Sequence, residues 1–265
     1  FETEINGFTL TNAQCNVGAA IRILNDSYLT VNNCIISNNT GYLGNDGFGV
    51  ITVGKDSNLG SYSNAAINLT NSTLSNNLSG YGGAIFNSTL PESPQSQFIG
   101  CIFQNNTAMH NAAIHNTRQS LIKNCIFINN QATNDVNSVI GNEGASPTII
   151  NCTFANNAAY AIGRSNPEIQ TVILNSIFFN NLGTINQAEF SDFNISYSLI
   201  QEDIGGSGNL NSDPLFVDPD NGDYTLQSSS PCIDAGDPDL DDDGEDYTTD
   251  VDDQDPDGTR MDMGV

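Results

Sequence analysis

The chain has 265 residues, with 6 Lys plus Arg against 31 Asp plus Glu, a formal net charge of −25. That balance argues against a nucleic-acid binder, which needs a basic footprint for the phosphate backbone, and disfavours an anionic membrane surface. No apolar run approaches the roughly 20 residues of a membrane-spanning helix, and no signal-peptide pattern opens the sequence. The charge is unevenly placed: residues 1–200 hold 11 acids and 5 bases, whereas residues 201–265 hold 20 acids and 1 base. Asn occurs 38 times and Trp is absent. We therefore divide the chain into a repeat domain at 1–200 and an acidic C-terminal cap region at 201–265.

Two short elements alternate along the first region. One reads GAAIRI at 18–23, FGVITV at 48–53, GGAIFN at 82–87, NAAIHN at 111–116, NSVIGN at 137–142 and AYAIGR at 159–164. The other reads NCIISNN at 33–39, NSTLSNN at 71–77, GCIFQNN at 100–106, NCIFINN at 124–130, NCTFANN at 151–157 and NSIFFNN at 175–181. Successive copies of the second are 38, 29, 24, 27 and 24 residues apart, the drift expected of variable loops inserted into a repeating unit.

Columns through these copies alternate as strands do. Cys34, Ser72, Cys101, Cys125, Cys152 and Ser176 form a small column, and Ile36, Leu74, Phe103, Phe127, Phe154 and Phe178 a large apolar one. Three residues before the small column stands another apolar row, Val31, Leu69, Phe98, Ile122, Ile149 and Ile173; both closing columns are Asn throughout. No stretch carries a helical stripe. Strands this short bury a core only if each repeat stacks on the last, which predicts an all-β, right-handed parallel β-helix. In such a solenoid, coils ~4.8 Å apart turn each column into a ladder of touching side chains. The Asn columns are then expected to bond the next coil and cap turn backbone.

The pairing of GGAI at 82–85 with F-x-x-N at 103–106, 127–130, 154–157 and 178–181 resembles the repeats of polymorphic outer-membrane proteins and of bacterial surface β-helices. The resemblance covers roughly residues 18–200 and implies a pectin-lyase-like solenoid. The stretch GNLNSDPLFVDPDNGDYTLQSSSPCIDAGD at 208–237, with MDMG at 261–264, is similar to the choice-of-anchor endings of secreted bacterial β-helix proteins. Leu215, Phe216, Val217, Tyr224, Leu226 and Ile233 are expected to close the open end of the solenoid.

The acidic stretch contains two D-x-D-x-D-G strings. Asp239, Asp241 and Asp243 precede Gly244, with Glu245 following and Asp250 at the twelfth position; Asp253, Asp255 and Asp257 precede Gly258, with Asp262 nearby. Alternate carboxylates before a glycine can wrap calcium. All of these acids except Asp262, eight in number, are candidate Ca2+ ligands, against the plainer reading of a solvated acidic linker.

The exchange of Cys with Ser in one core column predicts free, buried thiols rather than disulfides. His110 and His115 read as surface polar residues. Many solenoids of this kind cleave polysaccharides, but Arg22, Lys55, Arg118, Lys123 and Arg164 form no basic row and the repeat core between 93 and 188 has only Asp135.

The residues between the inward columns face out: Ile35, Thr73, Ile102, Ile126, Thr153 and Ile177, joined by Ile128 and Phe179 in the next outward column. A stiff β-branched row of this kind is expected either to dock a partner or to be covered by the chain itself. These readings predict a secreted or bacterial cell-surface module, adhesive or structural and without catalytic activity. Its expected partner is a glycan, a surface or a protein, including a second copy of itself. The competing reading is a carbohydrate-active lyase or hydrolase with a loop-built site.

Overall fold

The computed structural model describes residues 2–44, 46–56, 61–134, 138–163, 171–185, 193–202 and 205–265. They form a parallel β-helix with three long faces. Face 1 has eight parallel strands, from Glu2–Asn6 and Ser27–Asn32 through Ala65–Thr70, Ser96–Ile99, Ser120–Lys123, Thr148–Ile150 and Thr171–Leu174 to Phe193–Ser196. Face 2 has seven: Thr9–Thr11, Ile35–Ser37, Thr73–Ser75, Ile102–Gln104, Ile126–Ile128, Thr153–Ala155 and Ile177–Phe179. Face 3 also has seven, Ile21–Ile23, Ile51–Val53, Ile85–Asn87, Ile114–Asn116, Ser138–Asn142, Tyr160–Ile162 and Gly183–Ile185. A shorter three-stranded sheet, Leu78–Tyr81, Thr107–His110 and Gln131–Ala132, joins faces 2 and 3 in the middle coils.

The strand registers reproduce the sequence columns. On face 2, Ile36, Leu74, Phe103, Phe127, Phe154 and Phe178 are successive partners. On face 1 the partners are Val31, Leu69, Phe98, Ile122, Ile149 and Ile173, and on face 3 Ile21, Ile51, Ile85, Ile114, Ile140 and Ile162. All three rows point into one core and are buried. The four Phe rings stack with centroids 4.6–4.9 Å apart and planes within 7° of parallel. That separation is the inter-strand spacing itself, so the ladder geometry is imposed by the backbone.

The coil turns on asparagine, in two distinct ways. The first Asn of each pair, Asn38, Asn76, Asn105, Asn129, Asn156 and Asn180, has φ between 54 and 56°. At the other corner of face 2, Asn33, Asn71, Asn124, Asn151 and Asn175 have φ of 49–54° or, at Asn71, 47°, and Gly100 takes the same place at 64°. Asn tolerates this left-handed backbone better than other non-glycine residues, so each three-residue strand of face 2 is bounded by two sharp corners.

The second Asn of each pair points inward instead. Asn39, Asn77, Asn106, Asn130 and Asn157 are buried, and each Nδ2 donates to the Oδ1 of the next Asn, over 3.1, 3.0, 3.1, 3.1 and 2.7 Å, ending on Asn181. Each Nδ2 also donates to a face 2 carbonyl of the preceding coil, as Asn106 does to Leu74 at 2.9 Å. The Oδ1 atoms of Asn77, Asn106, Asn130, Asn157 and Asn181 further accept the backbone N–H of the preceding Asn, and that of Asn39 accepts from Ala13 N at 3.0 Å. The expected ladder is present and satisfies backbone groups at a corner where strand pairing lapses.

The small column is a hydrogen-bonding position as well as a filler. Ser72 Oγ accepts from Cys34 N at 3.0 Å, Cys125 Sγ from Cys101 N at 3.4 Å and Ser176 Oγ from Cys152 N at 3.2 Å. Each side chain also donates to the carbonyl two residues earlier. Cys and Ser can do both, which Ala cannot. All six cysteines are free; Cys15 is exposed and Cys34, Cys101, Cys125, Cys152 and Cys232 are buried.

The histidine reading needs correction. His115 lies on the outer side of face 3 but is buried, because residues of the short sheet and adjoining loops roof that side. Its ring stacks on Phe86 at 4.8 Å, meets Tyr81 edge-on, and shares a 2.8 Å hydrogen bond between Nδ1 and Asn111 Nδ2. Burial, and secondarily His110, depress its pKa to about 4. The next position in that column is Gly141, where a Cβ would fall 2.0 Å from the Asn111 side chain. Asn111 thus lies across the column, which has room only for glycine there. Arg22, at the start of the same column, pairs with Asp56 at 3.0 Å. Arg164 and Asp135 lie outside the described residues.

The acidic region also departs from expectation. Leu199 and Leu210 continue face 2 beyond Ile177 by single bridges. The segment from Phe216 onward does not close the solenoid end; it folds back along the flank of face 2. Phe216, Tyr224, Cys232 and Met263 form a second core with Ile128, Ala155, Ile177 and Leu199. Val217, expected in a closing plug, is 50% exposed. The flank offers an apolar surface for this packing in Ile128, Ala155, Ile177 and Phe179.

Candidate contact face and metal centre

The outward side of face 2 carries two in-register rows. The first runs Thr9, Ile35, Thr73, Ile102, Ile126, Thr153 and Ile177, β-branched at every position. The second runs Thr11, Ser37, Ser75, Gln104, Ile128, Ala155 and Phe179, polar for four coils and apolar for three. The folded-back C-terminal region covers the face where both rows are apolar.

This divides the predicted interaction face. Ile128, Thr153 and Ile177 are buried and Phe179 is half-buried, its ring edge-on to Phe216 at 5.9 Å. They belong to an internal interface, which corrects their assignment to a free face. Gly264 N donates to Asn175 O at 2.6 Å, Val265 N to Thr153 Oγ1 at 3.1 Å and Asp237 N to Asn175 Oδ1 at 2.7 Å. Asn156 Nδ2 adds a 2.9 Å bond to the Tyr224 hydroxyl. At Gly264 a Cβ would fall 2.7 Å from Ile177 Cδ1, so the chain backbone itself seals the row. Ile126 is half-buried at the border of the cover. Ile35, Thr73 and Ile102 stay outside it, Ile35 with 49% exposure. The switch in the second row between Gln104 and Ile128 was the sequence signal for this boundary.

The acidic strings fold differently from one another. Asp239, Asp241 and Asp243 bring a carboxylate oxygen each within 4.8 Å of the others. Asp239 accepts the N–H groups of Asp243 and Gly244 at 3.0 and 3.1 Å, curling the loop around its own carboxylate. Glu245 is exposed outside this cluster, and Asp250 caps the short turn Val251–Asp253 by accepting from Asp252 N.

The second string closes a tight turn of its own, Asp255 N donating to Thr259 O at 3.2 Å and Gly258 N to Asp255 O at 3.1 Å, but its three carboxylates do not gather at one point. Asp253 reaches back to the first loop, where its Oδ1 accepts from Leu240 N at 2.6 Å. Asp255 joins Asp234 and Asp262 in a separate group of three. Asp257 accepts from Thr259 N at 2.9 Å and its hydroxyl at 2.6 Å, bonds that hold its carboxyl below the usual range. Sequence spacing missed Asp234 and the crossing of Asp253, since both depend on how the turns return. Burial raises the carboxyls of Asp241, Asp253, Asp255 and Asp262, and neighbouring acids reinforce the effect.

Cations do not balance this charge among the described residues. Arg260, the one base of the region, sits over the Tyr197 ring at 5.4 Å. On the solenoid, Tyr62, Ser88, Thr89, Thr117 and Arg118 line a small open cavity without a carboxylate. None of the described helices is long and apolar enough to cross a membrane.

Fold and site together define the chain as a parallel β-solenoid with an acidic segment packed on one face. Compared with known proteins, it matches no family model and no curated protein.

Proposed function

We propose that this chain is an extracellular or cell-surface β-helix module with an adhesive or structural role and no catalytic activity. The observation that carries the reading is the uncovered half of face 2. There, Thr9, Ile35, Thr73 and Ile102 form a β-branched row on rungs tied together by the Asn ladder, flanked by Thr11, Ser37 and Gln104. Such a row offers a flat, partly apolar surface whose conformation needs little ordering on contact, which favours binding to another rigid or repetitive surface. The likeness of the GGAI and F-x-x-N pattern to polymorphic outer-membrane protein repeats supports a secreted bacterial origin, and the choice-of-anchor-like ending supports attachment at the cell surface.

The test uses the full chain with Ile35→Lys, Ile102→Lys and the double variant. Co-sedimentation with insoluble polysaccharides, a glycan array and sedimentation velocity read glycan, surface and self-contact separately. The wild type is expected to bind or associate in at least one format, and the double variant to lose that by at least tenfold with an unchanged melting temperature. Contact that survives both charges, or a wild type inert in all three formats, overturns the proposal.

A further inference from the structure

Where the chain leaves face 3 for face 1, two adjacent coils place Ser88 and Thr89 beside Thr117 and Arg118. A hairpin of Lys55–Asp56 and Ser61–Tyr62 stands next to them, and its Tyr62 completes the lining of an open cavity of about 200 Å3. The charge at this spot is unusual for the chain. Residues 1–200 hold 5 bases, and two of them meet here: Arg118 in the cavity wall, and Lys55, whose Nζ lies 4.1 Å from the centroid of the Tyr62 ring. Neither forms an ion pair among the described residues. Asp56, beside Lys55 in the chain, is held by Arg22 at 3.0 Å, and Glu143, on the coil after Thr117, lies 3.9 Å from His115 Nε2. Arg118 makes one hydrogen bond among the described residues, from Nη1 to Thr117 O at 2.7 Å. A guanidinium oriented by one backbone bond, with donors left over and no counter-charge, is prepared for an oxoanion.

The rest of the wall suits more than a bare anion. Tyr62 is 46% exposed, an apolar ring with a polar tip beside the cavity. Ser88 Oγ and Thr117 Oγ1 share a 2.8 Å hydrogen bond, which uses only one of their two hydroxyl hydrogens. Thr89 adds a third hydroxyl to the lining. An aromatic platform, clustered hydroxyls and unpaired positive charge together match a hydroxylated ring that carries an acid group. We propose that this cavity binds a saccharide bearing a carboxylate or sulfate, its anionic group on Arg118 and its ring against Tyr62, with Lys55 adding positive charge.

The volume lies below the roughly 300–1,000 Å3 of sites that enclose drug-sized ligands, so it fits one sugar residue whose neighbours continue into solvent. The corner between faces 3 and 1 lies across the core from face 2. The assignment is therefore independent of the contact role proposed above, and either can fail without the other.

Ligand-observed nuclear magnetic resonance titration of the full chain with methyl glucuronide, glucose 6-sulfate, methyl glucoside and sodium sulfate tests it. At least one of the two anionic sugars should bind about tenfold tighter than both the neutral glucoside and free sulfate, and the tighter of the two identifies the acid group. Arg118→Gln should weaken that binding about tenfold, the loss of one charge-assisted hydrogen bond. Tyr62→Ala should weaken it about threefold or more, and Tyr62→Phe should retain it, because the ring supplies the platform. Melting temperature should stay unchanged in all three. If Arg118→Gln fails to fold, Lys55→Gln carries the charge test and should weaken the anionic sugar but not the glucoside. Ile35→Lys combined with Ile102→Lys should leave the titration as in wild type. Absence of binding by both anionic sugars, equal affinity for the glucoside, free sulfate binding as tightly as the sugar, or binding that survives both Arg118→Gln and Tyr62→Ala overturns the proposal.

Discussion

Consider replacing the two asparagines of one corner, Asn105 and Asn106, separately by glycine. They are adjacent, identical and drawn from two equally invariant columns, yet they do different work. Asn105 is exposed with φ of 54°, a conformation glycine adopts freely. Gly100 already fills an equivalent corner with φ of 64°. Asn105→Gly should therefore cost no more than ~1 kcal/mol, mostly through the freer unfolded chain. Asn106 is buried and its side chain takes part in four hydrogen bonds: Nδ2 to Leu74 O and Asn130 Oδ1, and Oδ1 from the backbone N–H and Nδ2 of Asn77. Removing it strands the Asn77 N–H, whose acceptor it was, and takes a donor from the Leu74 carbonyl. Asn77 Nδ2 keeps Ile36 O, and Asn130 Oδ1 keeps the Asn106 N–H, so two groups rather than four lose a partner. At about 1–3 kcal/mol for each buried unsatisfied group, Asn106→Gly should cost ~3–5 kcal/mol once the side-chain void is included. Urea denaturation followed by far-ultraviolet circular dichroism gives both values. Equal costs for the two variants would refute the division of labour between corner and ladder.

Two further outcomes follow from buried titratable groups. His115 is held neutral to about pH 4, whereas an unfolded histidine takes a proton near pH 6.5. Between those values the unfolded chain binds more protons, so stability is complete above pH 6.5 and declines as pH falls toward 4, by about 3 kcal/mol at most. Glu143, 3.9 Å away but largely exposed, offers little compensation, and His110 adds to the depression. His115→Gln should flatten that part of the stability–pH curve, read from urea midpoints at pH 7 and 4.5; an unchanged slope would show that His115 is not the group responsible. Thiol accessibility is equally direct. Only Cys15 is exposed, and burial pushes the Cys125 and Cys232 thiols up, the latter to about 12. Ellman's reagent should titrate one thiol in native protein and six after denaturation, and two or more rapid equivalents would contradict the buried column.

The repeat columns were legible because parallel stacking places the same repeat position of every coil at one spot in space. A periodic sequence then states its own register, and the Ile, Phe and Asn ladders follow without knowledge of any loop. Free thiols were legible for the same reason, since Ser replaced Cys within one column. The two functions of paired Asn were hidden, because backbone sign and side-chain direction leave identical letters. His115 was misread because its roof comes from a sheet spanning only three coils, which no column reveals.

The acidic region shows the limit from the other side. Its composition declared a cluster of carboxylates, but spacing treated the two D-x-D-x-D-G strings as equivalent loops. Only the return of the chain sent Asp253, Asp255 and Asp257 to three different surroundings. Likewise, the β-branched row was written in the sequence from Ile35 to Ile177, while its extension to Thr9 and its division into an open and a covered half came from tertiary packing. The sequence by itself determined the solenoid, since local periodicity and neighbour contacts suffice to build one. The tertiary structure decided which face stays open and where the carboxylates converge, because an aperiodic segment has no register until it meets the apolar flank it covers.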